Sequence, residues 1–201
     1  EYGNKVTNYT GTVHFSTTDT HPSVVLPTNY TYTTGDNGDR QFTNETTLCT
    51  AGPQTIYVED TSNPSIKGQA TVNVQPEALS SCKFEFDPIG PQVKGYPFLI
   101  TIKVKDSFGN INPSFNGTGN LAASGGVSIS PTSVTFVNGI WSGNVTLNTA
   151  DNNMTIKASD AIHVVLDGTS NTFTVADPDP VSFQFEPIGN QSRNTPFQIT
   201  V

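Results

Sequence analysis

No apolar run in this sequence approaches the ~18 residues that a helical membrane span requires. Charged residues are scarce at 13%, with nine Lys and Arg against 17 Asp and Glu, so the net charge is −8 and the pI about 4.6. No basic stretch exists, and nucleic acid is not an expected partner. The acidity is read first as a soluble surface. Three histidines, His14, His21 and His163, stand apart from one another, and none falls in a catalytic or metal-binding motif. There is no His-Glu-x-x-His, no Gly-x-Ser-x-Gly and no phosphate-cradling loop. No nucleophile, base and orienting group are marked, so no enzyme activity is expected and no catalytic or metal residue is assigned. The low Ala, Glu, Lys and Leu content excludes a coiled coil.

What fills the space is Thr, Asn, Ser and Gly between short alternating runs, the composition of strands and turns. The alternation is arranged as a repeat. Lys83-Phe84-Glu85-Phe86-Asp87-Pro88-Ile89-Gly90 returns as Ser182-Phe183-Gln184-Phe185-Glu186-Pro187-Ile188-Gly189, at an offset of 99 residues. Pro97-Phe98-Leu99-Ile100-Thr101-Ile102 returns at the same offset as Pro196-Phe197-Gln198-Ile199-Thr200-Val201. A second match runs backwards: Phe108-Gly109-Asn110 and Phe115-Asn116-Gly117-Thr118 correspond to Tyr2-Gly3-Asn4 and Tyr9-Thr10-Gly11-Thr12, at an offset of 106. Internal repeats mark arrays.

Within one repeat, seven strands A to G can be read. Phe84 and Phe86 open A. Phe98, Ile100, Ile102 and Val104 form the inward face of B. Thr118 to Ser124 suits C, and Val127 to Phe136 suits D with a kink or edge at Pro131. Trp141, Val145 and Leu147 mark E; Met154, Ile156 and Ala158 mark F; Phe173 and Val175 mark G. Seven short strands in about 100 residues predict an all-β, immunoglobulin-like Greek-key sandwich. The expected division is 1–76, an incomplete sandwich holding C to G; 77–177, a complete one; and 178–201, the A and B strands of a further repeat. In the first unit Val13 and Phe15 suit C, Tyr30 and Tyr32 suit D, Phe42 and Leu48 suit E, Ile56 and Val58 suit F, and Val72 and Val74 suit G.

The segments Glu1 to Phe15, Thr50-Ala51-Gly52 and Ser128 to Phe136 resemble the bacterial and archaeal Ig-like (Big-type) tandem repeats of large extracellular surface proteins. The resemblance covers nearly the whole chain. It implies an extracellular or cell-surface location and a role as stalk, spacer or adhesive array, and it brings no catalytic residues.

Cys49 ends strand E, and Cys82 follows the exit of strand G. A disulfide between them is expected to staple the junction of the two repeats. Asn-x-Ser/Thr sites begin at Asn8, Asn29, Asn44, Asn116, Asn144, Asn153 and Asn190. A chain this rich in Asn, Ser and Thr gives about five by chance. Asn144 and Asn153 have outward parity and are the expected first glycosylation sites, whereas Asn44 shares parity with Phe42 and Leu48 and is expected to be at risk of burial. No cofactor is required. Calcium would find carboxylates at Asp36-Asn37-Gly38-Asp39 or Asp177-Pro178-Asp179-Pro180, but the first reads as a plain turn and the second as a stiff linker.

The leading expectation is a structural subunit or segment of an extracellular filament or surface layer. Phe183, Phe185, Phe197, Ile199 and Val201 would be donor-strand residues that enter the incomplete first unit of a neighbouring copy, head-to-tail. Self-closure is opposed by the length of a whole sandwich, roughly 35–40 Å, between the two ends. The alternative is an adhesin stalk, or a module that binds carbohydrate or another partner, cut from a longer array, with host or cell-surface glycans as partners.

Overall fold

The computed structural model describes residues 4–160, 162, 166–180 and 184–200. Apart from three short 3-10 turns, its regular structure is all strand. Four strands belong to the first repeat: β1 (Thr12–Thr17), β2 (Tyr30–Thr31), β3 (Gly52–Asp60) and β4 (Lys67–Val74). They form one antiparallel sheet in the order β2-β1-β3-β4. In the strand lettering of an Ig-like sandwich these are D, C, F and G, with D paired to C.

The second repeat contains β5 (Lys83–Phe86), β6 (Gln92–Val93), β7 (Phe98–Lys105), β8 (Thr118–Ala123), β9 (Ile129–Ser130), β10 (Ser133–Thr135), β11 (Ile140–Leu147), β12 (Asp151–Met154), β13 (Ile156–Asp160), β14 (Asp167–Thr169) and β15 (Phe173–Ala176). One sheet runs β5-β7-β11-β9, which is A-B-E-D. The facing strands run β10-β8-β13-β14 and β12-β15-β6, where β12 and β13 are two parts of F and β14 and β15 two parts of G. This is the A-B-E-D against C-F-G arrangement of an immunoglobulin-like sandwich.

Two strands change sheets. Strand A leaves β5 at Asp87 and re-forms as β6, parallel to β15. Strand D is cut at Pro131: Ile129 and Ser130 pair with β11, whereas Ser133 to Thr135 pair with β8 in the other sheet. Proline has no N–H to give to a ladder, so the crossing falls where the ladder has to break anyway.

The core follows the alternation in the sequence. Along β7, Phe98, Ile100, Ile102 and Val104 are buried, while Leu99 is 67% exposed. They pack with Phe84, Val145, Leu147, Met154, Ile156, Ala158, Phe173 and Val175. Every buried apolar residue of this cluster lies between Cys82 and Val175. Before Cys82, only Val13 and Cys49 are buried apolar residues among those described. The first repeat therefore has a sheet without a core.

Tyr30 pairs with Val13 of β1, as the second half of strand D, β10, pairs with β8 in the second repeat. One expectation for the first repeat needs correction. Phe42 to Leu48 form no strand E, and the backbone there makes one isolated bridge, Val25 to Thr47. The cause is visible in the complete repeat, where β11, strand E, pairs from Ile140 to Val145 with β7, strand B. No described residue from 4 to 76 supplies a strand B, so E has nothing to pair with.

Residues 184–200 belong to no sheet, yet they repeat the local geometry of the A–B hairpin at the offset of 99. Glu186 N donates to Thr200 O at 3.1 Å, as Asp87 N does to Thr101 O at 2.9 Å. Gln191 Nε2 donates to Gly189 O at 2.9 Å, as Gln92 Nε2 does to Gly90 O at 3.1 Å. Asn194 holds φ at +61° where Gly95 holds +80°. Asparagine tolerates this left-handed conformation better than most residues, so the turn survives the change.

The contrast between the repeats sets an expected outcome. Ile102→Ala, at a fully buried site, lowers the stability of the second repeat by about 2–5 kcal/mol. Val58→Ala, on the half-buried first sheet, costs about 1 kcal/mol or less in the monomer. Chemical denaturation followed by Trp141 fluorescence and far-UV circular dichroism measures both. Equal losses would mean that the first sheet has a hidden core.

Candidate functional site

The first sheet is amphipathic. Val13, Phe15, Ile56, Val58, Ala70, Val72 and Val74 alternate onto one face, and Thr12, His14, Ser16, Thr55, Glu59, Gln69 and Thr71 onto the other, as the pairing register requires. The apolar face is only partly covered by the irregular segment 18–50. Phe42 reaches Phe15 with ring centroids 4.9 Å apart and Tyr30 at 5.7 Å. Arg40 lies over the Tyr30 ring at 4.7 Å. Val72 is left 46% exposed and Ile66 50%.

At one end of this face lies a groove of about 540 Å³ lined by Tyr9, Val13, Tyr32, Val58, Ile66 and Gly68, together with Lys5, Val6, Gly38, Glu59, Asp60 and Lys67. Each of the first six has a counterpart in the second repeat. Val13 opposes Asp60 as Gly119 opposes Asp160. Val58 opposes Gly68 as Ala158 opposes Gly168. Asp60 N donates to Ile66 O at 2.9 Å as Asp160 N does to Leu166 O at 3.0 Å. Tyr32 N donates to Gly11 O at 3.0 Å as Phe136 N does to Gly117 O at 2.8 Å. The Tyr9 and Tyr32 rings meet edge-on at 5.2 Å, and the Phe115 and Phe136 rings at 5.4 Å.

In the second repeat that location is full. Phe84 of strand A stacks on Phe136 at 4.9 Å and meets the edge of Phe115 at 5.7 Å. Its backbone lies so close to β14 that a β-carbon at Gly168 would collide with the Phe84 carbonyl. At Gly68 the same β-carbon would meet only Val58 Cγ1, at 3.5 Å. Leu166 is 1% exposed where Ile66 is 50%. The groove is thus the seat of a strand-A phenylalanine with no strand in it. Its floor is more polar than the second repeat's: Tyr9 OH donates to Asp60 Oδ2 at 2.5 Å, and Asp60 Oδ1 accepts Ser62 N and Asn63 N. Burial and the Asp60 bond push the Tyr9 hydroxyl up to about 12, and the Tyr9 bond with these two N–H groups holds Asp60 below the usual carboxylate range.

Of the expected donor residues, Phe185, Phe197 and Ile199 are 58%, 51% and 54% exposed, and Ile188, which is not among them, is 49% exposed. Their counterparts Ile89, Phe98 and Ile100 are 7%, 8% and 3% exposed, and Phe86 is half-buried. Phe183 and Val201 lie outside the described residues, as does His163.

The cysteine expectation is corrected. Cys49 and Cys82 are both buried and both free. Cys82 Sγ faces the Ala78 carbonyl at 3.6 Å and accepts from Asn112 Nδ2 at 3.5 Å, inside the core of the second repeat. The junction is held by backbone recognition instead. Asn110 Nδ2 donates to Cys49 O at 2.7 Å, and Asn110 Oδ1 accepts from Ala51 N at 2.9 Å. Asn112 Nδ2 donates to Glu77 O at 2.7 Å, and the His21 and Phe108 rings meet edge-on at 5.5 Å. Two carboxylates brace these turns. Asp19 accepts from Cys49 N, Thr50 N, Thr50 Oγ1 and His21 N. Burial opposes its charge, but these bonds hold its carboxyl far below the usual range. Asp106 accepts from Glu77 N, Phe108 N, Asn110 N and Asn110 Nδ2. Burial again opposes the charge, and the bonds again hold the carboxyl low.

All seven sequon asparagines are exposed. For Asn44 this corrects the expected risk of burial: it sits in a turn with φ +59°, and with no strand E there its parity has no meaning. Asp36, in the acidic turn, accepts from Thr33 N, Thr33 Oγ1 and Tyr30 OH, which closes a capping box. Asp177 of the linker pairs with Lys94. His14 Nδ1 bonds Asn29 Oδ1 at 2.8 Å.

Ile66 and Gly68 are groove residues that the strand pattern did not mark. Their signal is the recurrence of Ile66-Lys67-Gly68 as Leu166-Asp167-Gly168, at an offset of 100 rather than 99 or 106.

No protein-family model matches the sequence, and no curated protein matches it. Solved structures do. Domains 4 and 5 of the S-layer protein SbsC align over 88% of this chain and 74% of theirs, at 14% identity and TM-score 0.33. The D0-D1 domains of Intimin align over 88% and 85%, at 13% identity and TM-score 0.37. A glycosyl hydrolase family 2 member from Bacteroides cellulosilyticus aligns over 85% of this chain but 22% of its own length, at 12% identity and TM-score 0.41. Likeness at this level transfers no activity.

Two outcomes are expected. Burial raises both thiols above their ordinary value, and only a thiolate alkylates readily. Iodoacetamide should therefore add nothing to the native protein and two groups after denaturation; a native mass short by two hydrogens would mean a bridge. The second concerns pH. A carboxyl whose folded value is depressed contributes stability above the ordinary value near ~4, and that contribution is lost as pH falls through the folded value. The junction should loosen below about pH 4, seen as independent tumbling of the two repeats in NMR relaxation. An Asp106→Asn variant should be loose already at neutral pH.

Proposed function

We propose that this chain is a structural module of an extracellular filament or surface layer, and that the open face of its first sheet takes the A–B hairpin of another copy. The observation that carries this is the residue-by-residue match between the groove and the seat of Phe84. At the offset of 99 the residue for that seat is Phe183, and residues 184–200, which follow it, form a hairpin already turned as in the complete repeat, with its apolar side chains outside.

Strand addition completes the ladder of an exposed edge and seats alternate side chains in pockets. Each donor side chain that becomes fully buried contributes about 1.5–3 kcal/mol before ordering costs. A hairpin at one end and its acceptor near the other give a head-to-tail contact, which propagates instead of closing. With a strand B in place, Phe42 to Leu48 gain the partner that strand E has in the second repeat. The exposed sequons suit a secreted chain and would place glycans along the outside of such a rod.

Gly68 provides the cleanest test. Gly68→Ala is compatible with the open sheet, where the new carbon meets only Val58, but it occupies the space of the incoming carbonyl. The variant should keep the circular dichroism spectrum of the parent. Its assembly, followed by sedimentation velocity and electron microscopy, should weaken about fivefold or more, since overpacking costs about 1–3 kcal/mol. Removing residues 181–201 should abolish assembly. Filaments from the truncated chain, or undiminished assembly of Gly68→Ala, would refute strand donation. A parent chain that stays monomeric at high concentration would reduce the module to a rod segment.

A further inference from the structure

The internal junction rests on one carboxamide that reads two backbone groups. Asn110 donates to the Cys49 carbonyl at 2.7 Å and accepts the Ala51 N–H at 2.9 Å. An amide side chain does both from one rigid plane. The turn that presents it is fixed by Asp106 and by Gly109, whose φ is +83°.

Each half of this contact occurs a second time in the chain. Gly109-Asn110 returns as Gly3-Asn4, at the same distance ahead of the Tyr9-Thr10-Gly11-Thr12 match. Thr50-Ala51-Gly52 returns as Thr149-Ala150-Asp151 at an offset of 99. The second corner is built like the first: Asp151 pairs with Val175 at the start of β12 as Gly52 pairs with Val74 at the start of β3. Asn4, Asn148 and Thr149 are exposed, and Ala150 is half-buried. One brace differs. Thr18 bonds Thr55 as Ser124 bonds Thr155, which aligns Asp19 with Gly125. The corner at 148–150 therefore lacks the carboxylate that holds Cys49 and Thr50, and it is held by its pairing with β15.

We propose that the Asn148–Ala150 corner is a docking surface for Asn4 of a second copy, whose carboxamide donates to the Asn148 carbonyl and accepts the Ala150 N–H. The inference rests on the copy-to-copy reading above and adds a fixed angle between successive copies, which strand insertion alone does not set.

The test is a pair of cysteines in the full chain, Asn4→Cys with Thr149→Cys, under mild oxidation. A non-reducing gel should show a ladder at multiples of 21.5 kDa, and either single variant should give dimers at most. Sedimentation velocity on the same samples separates the two readings. Assembly without a ladder overturns the Asn4 contact and leaves strand donation standing, whereas absence of assembly overturns strand donation and this contact with it. In a second measurement, Asn4→Ala should still assemble, but the spread of angles between successive copies in electron micrographs should at least double. An unchanged spread overturns the proposal.

Discussion

A sheet with one apolar face has to be covered, and strand B decides whether it is. In the complete repeat, β7 lies between β5 and β11 and presents Ile102 and Val104, both 0% exposed, to the facing sheet. Strand E is hydrogen-bonded to it along six consecutive positions. Without B there is no E, and without E there is no place for the first half of D. The first repeat shows the consequence. Its C, F and G strands pair as they do in the second repeat, but the residues that would make the opposite sheet lie across the face as irregular chain. The loss is cooperative because backbone groups in a sheet are satisfied by neighbours, not by the strand itself.

The groove and the hairpin are two products of that single dependence. The groove keeps the shape of a filled site because its walls belong to the intact sheet and to the aromatic pair Tyr9 and Tyr32. The hairpin keeps its turn because turn geometry is local, set by Ser192, Asn194 and the glutamine bond to Gly189. Neither buries its apolar side chains alone. Gly68 stands in the groove at the position where Gly168 makes room for the Phe84 backbone in the second repeat.

The junction uses a different kind of force. It relies on Asn110, Asn112 and the two carboxylates Asp19 and Asp106. Hydrogen bonds fix direction more than they add net stability, so this arrangement sets an angle between repeats. The two cysteines lie near it without joining, since Cys82 turns its sulfur into the second repeat's own core.

The strand assignment of the second repeat was legible in the sequence because period-two alternation, as in Phe98-Leu99-Ile100-Thr101-Ile102, records directly which side of a strand is buried. The kink at Pro131 and the matching hairpins at an offset of 99 were legible for equally local reasons. Three things were not. Phe42 to Leu48 form no strand, the thiols stay apart, and Tyr9, Tyr32, Ile66 and Gly68 converge on one seat. Each depends on which distant segment stands opposite, and alternation carries no information about partners. The sequence by itself determined the strands, their faces and the repeat. Only the tertiary structure decided which face stays open, because that follows from the presence or absence of a neighbouring strand.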